Sequence, residues 1–99
     1  MSGERMFLVA LDVLDPTLDL RKVKHFLRTT PSIKGWWNHI PGCFLVDTDL
    51  NADQLTDQIR TATSDARLLV MEVNPTASEG WLPERSWDWI RRREAEHAH

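Results

Sequence analysis

IKGWWNHIPGCFLVDT, residues 33–48, reads as a β-hairpin, and the fold follows from it. Ile33 to Ile40 has the aromatic and branched content of a strand, with Gly35 weakening or bulging it. Pro41-Gly42 suits the central positions of a type II turn, and Cys43 to Thr48 returns as a more apolar, more buried strand. Adjacent Trp36 and Trp37 point to opposite faces. On the N-terminal side, Thr30-Pro31-Ser32 breaks a helix. Asp15-Pro16 supplies that helix with a cap and a first residue, and Leu20, Val23, Phe26 and Leu27 share one arc of it, so the spacing predicts a helix over 16–29. MFLVALDV, 6–13, precedes it as a nearly continuous apolar strand. On the C-terminal side, Asn51 with Gln54 forms a capping-box variant, Leu50 and Leu55 have the spacing of a hydrophobic staple, and Leu55, Ile59 and Ala62 mark the buried stripe of a helix over 52–63. RLLVMEV, 67–73, is a fourth strand, stopped by Asn74-Pro75 and a loop to Gly80. Helix formers from Pro83 onward predict a short helix over 84–94.

The resulting order, βαββαβ and a helix, predicts a single α+β domain over 1–99 with the ferredoxin-like arrangement, its strongly apolar first and third strands in the middle of an antiparallel sheet. Each of the first two helices has one apolar stripe, so both must cover the same sheet face. The opposite face needs a cover. A second copy of the chain, or the Trp-rich segment 81–99 with Trp81, Trp87 and Trp89, can supply it, and a homodimer is the expectation.

Ninety-nine residues, 41% hydrophobic and 27% charged, suffice for one core and no more. No run approaches 18 apolar residues, and Met1 to Arg5 lacks a basic leader region and a cleavage site; the expectation is a cytoplasmic protein with no membrane segment. A single cysteine, Cys43, excludes an internal disulfide and any multi-cysteine zinc site, and reads as a small strand hydrophobe. With four glycines and no Gly-rich phosphate loop, HExxH or zinc spacing, most enzyme classes drop out.

The net charge of −3 conceals an asymmetry. From Leu20 to Val46 there is no acid, while Arg21, Lys22, Lys24, Arg28 and Lys34 are all cationic; from Asp47 to Asp88 acids dominate. On a helical wheel Arg21, Lys24, His25 and Arg28 fall on one arc of about 100°, a basic stripe with no acid in its own segment to neutralise it. If an anion binds, this stripe is where it binds; the competing reading is a solvated helix face.

The ordered set FLVALDVLDP (7–16), WWNHIPGCFLVDTDLNADQL (36–55), LLVMEV (68–73) and WLPERSWDWI (81–90) resembles the small bacterial SinR-like family, related to the CRISPR-associated adaptation endonuclease and the VapD-type ribonucleases. The resemblance implies a ferredoxin-fold homodimer with a metal-binding aspartate at the end of the first strand, which Asp12 matches. Leu11 stands where those relatives usually carry an aromatic residue, and the chain's helical end stands where theirs often adds a strand to the partner's sheet.

Two functional classes follow, beside a third, a small-ligand-sensing regulator, that no pocket motif supports. In the first, Asp12 from two protomers shares Mg²⁺ and activates water for cleavage of RNA or DNA, with Arg21, Lys24 and Arg28 on the phosphate backbone. In the second, the chain is a non-catalytic dimeric module that binds nucleic acid or a protein, as in a toxin–antitoxin or defence system. For Asp12 and Asp15 the competing reading is a solvent-facing strand end and a helix cap. His25 and His39 can act near a phosphate, but His39 beside two tryptophans also reads as a packing residue. The five tryptophans can stack bases, yet their spacing fits core and interface better. Arg91, Arg92 and Arg93 can touch phosphate or simply complement a helix C-terminus.

Overall fold

The computed structural model describes residues 5–74 and 79–97; the predicted stop at Pro75, the loop over 75–78 and the terminal His99 lie outside the described residues. Its elements are β1 (Arg5–Leu11), α1 (Leu20–Thr29), β2 (Ile33–Ile40), β3 (Cys43–Thr48), α2 (Ala52–Thr63), β4 (Leu68–Glu72) and α3 (Glu84–His97). The sheet order is β2-β3-β1-β4, every neighbouring pair antiparallel, so the two most apolar strands are central. The register sets Val9 opposite Phe44 and Val70, and Phe7 opposite Val46 and Glu72.

Strand alternation sends Phe7, Val9, Leu11, Phe44 and Val46 to one face, where Val23 and Leu27 of α1 and Leu55 and Ile59 of α2 close over them. Burying each such side chain contributes about 1.5–3 kcal/mol, so this layer is the stability of the domain. Trp36 joins it, its ring centroid 6.1 Å from that of Phe44, while Trp37 turns to the other face. The hairpin is braced at both ends. Buried Thr48 donates through Oγ1 to the Ser32 carbonyl at 2.7 Å, and the Asn38 amide donates to the carbonyls of Ile40 and Cys43 at 2.8 and 2.9 Å. The sheet register shifts between Ile33 and Gly35, where a bulge was expected.

Three local expectations are corrected. β1 ends at Leu11 rather than 13: the Asp12 amide makes the last bond toward β4, to the Arg67 carbonyl, and the chain then turns, the Asp12 carboxylate accepting from the Leu14 amide at 3.0 Å and its carbonyl from the Asp15 amide. Val13 and Leu14, which prolonged the apolar run, are exposed. α1 begins at Leu20 rather than 16: Asp15 accepts from the amide and hydroxyl of Thr17 in a local turn, and Asp19, with extended backbone, is the cap. The Pro41-Gly42 turn is not type II, since Gly42 has no positive φ. A glycine is needed there for space, because a Cβ would lie 2.6 Å from the Leu11 carbonyl oxygen and from the Val13 side chain.

The second sheet face is half covered. α3, three residues longer than predicted, lies against β2 and brings Arg93 3.2 Å from the carboxylate of Asp47, which is 1% exposed. The guanidinium passes over Gly35, where any Cβ would collide with it. Trp89 lies beneath it, 4.7 Å from ring centroid to guanidinium carbon, and Ile90 and Ser86 are buried. Trp81 plugs nothing within the chain, being 99% exposed. Among the described residues no helix is long and apolar enough to cross a membrane.

Candidate nucleic-acid interface

α1 carries its buried residues, Val23 and Leu27, on one side and its charges on the other. Arg21, His25 and Arg28 recur at i, i+4 and i+7, so they lie in a row roughly 10 Å long on one helix face. They border an open groove of about 660 Å³ between α1 and the end of α2. Lys22 and Thr29 continue the border, and Phe26 and Ala62 supply its apolar part.

The structure thus brings together three of the four residues of the predicted stripe and leaves out the fourth. Lys24 is half-buried and does not line the groove. Lys22 takes its place; its helical angle lies outside the arc drawn from sequence, and only the position of α2 beside α1 makes that side the inner one. The expectation of an unneutralised stripe also fails at one end. Asp19, just outside the acid-free segment, accepts from Arg21 through both the backbone amide (3.0 Å) and the guanidinium (3.2 Å). That guanidinium, and then the amide, hold the Asp19 carboxyl below the usual carboxylate value. Among the described residues Lys22, Lys24 and Arg28 make no ion pair. The uncompensated charge of the groove is therefore that of Lys22 and Arg28.

Asp12, the predicted metal ligand, sits half-buried in the turn after β1. One of its oxygens accepts from the Leu14 amide. Asp15 is occupied by Thr17, whose amide and then hydroxyl hold its carboxyl below the ordinary value. Among the described residues no three His, Cys, Asp or Glu side chains gather where they could hold a metal. Mg²⁺ keeps several of its waters and is held through one or two carboxylates plus substrate phosphates, and Asp12 is the one carboxylate of the predicted site.

The other candidates stand apart from the groove. His39 is exposed on β2, its ring centroid 6.5 Å from that of Trp37. Arg91 pairs with Asp88 on the surface, and Arg93 is committed to Asp47. Burial pushes the Cys43 thiol above its usual range, which suits a packed side chain rather than a nucleophile. Comparison of the chain with protein-family models, with curated proteins and with solved structures yields no match.

Proposed function

We propose that the chain is a nucleic-acid-binding module, non-catalytic as a single protomer, on a ferredoxin-like scaffold that pairs with a second copy. The observation that supports it is the groove beside α1, where Arg21, Lys22, His25 and Arg28 share one border and, among the described residues that line it, the one carboxylate, that of Asp19, is held by Arg21. Clustered cations of this kind bind phosphate by releasing counterions, so binding must weaken with salt. The sheet order β2-β3-β1-β4 with α1 and α2 on one face is compatible with the ferredoxin-like arrangement.

The test is binding of labelled single- and double-stranded RNA and DNA across a salt series. Arg28→Gln is expected to lower affinity about equally for all sequences and to reduce the salt slope by roughly one. Arg21→Gln is expected to reduce it less, because its guanidinium is already engaged by Asp19. Affinity and slope unchanged by charge reversal at Arg28 would reduce the groove to solvated polarity.

The resemblance favours a second reading, a Mg²⁺-dependent nuclease built on Asp12. It depends on a second protomer bringing its own Asp12 across a two-fold axis, so that two carboxylates and the substrate phosphates would hold the ion. The same assay with Mg²⁺ or Mn²⁺ separates the two: cleavage by wild type that Asp12→Ala loses establishes the nuclease, and binding without cleavage establishes the module.

A further inference from the structure

We infer that the groove beside α1 takes single-stranded nucleic acid, with one base laid against Phe26 opposite Ala62. The inference rests on reading this groove as a nucleic-acid surface, and it adds what kind. Phe26 lies on the helical wheel between the cations and the core arc of Val23 and Leu27, is only partly buried, and lines the groove. Across from it α2 contributes Ala62 to the lining, a small side chain beside which a larger residue would take up groove space. An aromatic floor beside a row of cations is the combination that holds unpaired bases, since phosphates follow the charges while a base face meets the ring. A duplex satisfies only half of it. Its base faces are covered by their neighbours, so it can meet the cations but not Phe26. Thr29 donates its hydroxyl to the His25 carbonyl, so base-edge readout by that hydroxyl as donor is not available and little sequence preference is expected.

The experiment compares four oligonucleotide probes of one length: single-stranded DNA, the same strand with abasic sites, its duplex, and a strand carrying 2-aminopurine, whose fluorescence falls on stacking. Wild type is expected to bind the intact strand roughly tenfold more tightly than the abasic one and to quench 2-aminopurine, the size that one stacked base commands. Ala62→Leu, which takes up groove space without altering charge, and Phe26→Leu, which keeps an apolar side chain against the core, are each expected to erase that preference. Both should leave the salt slope intact. Circular dichroism confirms that each variant is folded, and the abasic comparison needs no variant at all. Equal affinity for intact and abasic strands, or for strand and duplex, overturns the inference while leaving the phosphate groove standing. Absence of salt-dependent binding to any probe overturns both.

Discussion

At Gly42 the hairpin turn passes beneath the end of β1, and its carbonyl accepts from the Leu11 amide at 2.8 Å. A methyl group there meets backbone, which cannot swing aside, so Gly42→Ala is expected to cost about 1–3 kcal/mol in urea unfolding. A change below measurement error would show that the turn gives way. Ser64 is the opposite case. It closes α2 with φ 57°, in the left-handed region, its amide donating to the Arg60 carbonyl, and it is exposed. Ser64→Gly removes the Cβ penalty without removing a contact and is expected to raise stability by about 1 kcal/mol. A glycine is thus required where the sequence suggested a turn conformation but the structure demands space, and one is absent where the conformation asks for it. Neither fact is legible in the residue types alone, because both depend on what lies across the fold.

The elements themselves were legible where a local signal and a burial signal agreed. α2 runs from Ala52 to Thr63 with both hydrogen bonds of its capping box formed, at 2.8 and 2.9 Å, and β2 and β3 have the predicted bounds. α1 was misplaced at its start because Asp15-Pro16-Thr17 and Asp19 both offer cap chemistry, and only packing decides which one the helix uses. Asp19 gives this choice a pH signature. Its folded carboxyl titrates below the ordinary value of 3.8, so the unfolded chain takes up the proton first. The charged cap therefore contributes fully above that value and is lost as pH falls through the lowered one. The melting-temperature gap between wild type and Asp19→Asn is expected to hold at neutral pH and to close in acid; a gap constant down to pH 2 would move the shift elsewhere. α3 was legible as a helix, but its anchor was not, since Asp47 and Arg93 lie far apart in sequence and Gly35 announces only a bulge. Breaking a buried pair with the other charge left in place costs about 3–5 kcal/mol. Arg93→Ala is expected to cost less, because α3 lifts and water reaches Asp47. Hydrogen exchange should then show α3 amides losing protection while those of β1 and β3 keep it; protection lost uniformly would mean that α3 is integral to the core.

At the scale of the molecule, what α3 leaves bare is the β4 side of the outer sheet face. Leu69 and Met71 are 52% and 51% exposed there, and the register continues them through Leu8 and Ala10 of β1 to Leu45 and Cys43 of β3. Both faces of β1 are apolar in sequence, so its run does not alternate, and its outer residues Leu8 and Ala10 are half-buried beside exposed Leu69 and Met71. The two edge strands are poor templates for a partner. β2 is irregular and carries Lys34, and β4 is five residues long and ends in Glu72, devices that discourage edge-to-edge pairing. A second copy is therefore expected on the face rather than the edge, related by a two-fold axis so that the same patch meets itself. Sedimentation equilibrium at tens of micromolar is expected to show a dimer for wild type and a monomer for Met71→Glu, whose carboxylate would be buried against apolar side chains of the partner. Because Met71 points away from the core in the monomer, the variant should keep the wild-type circular dichroism spectrum. The groove lies on the side of the sheet that carries α1 and α2, so the monomeric variant should also keep its intrinsic affinity for a short strand and lose only the tighter binding that two linked grooves give to a long one. A wild-type monomer, or a Met71→Glu variant that still dimerises, would remove the face from the assembly.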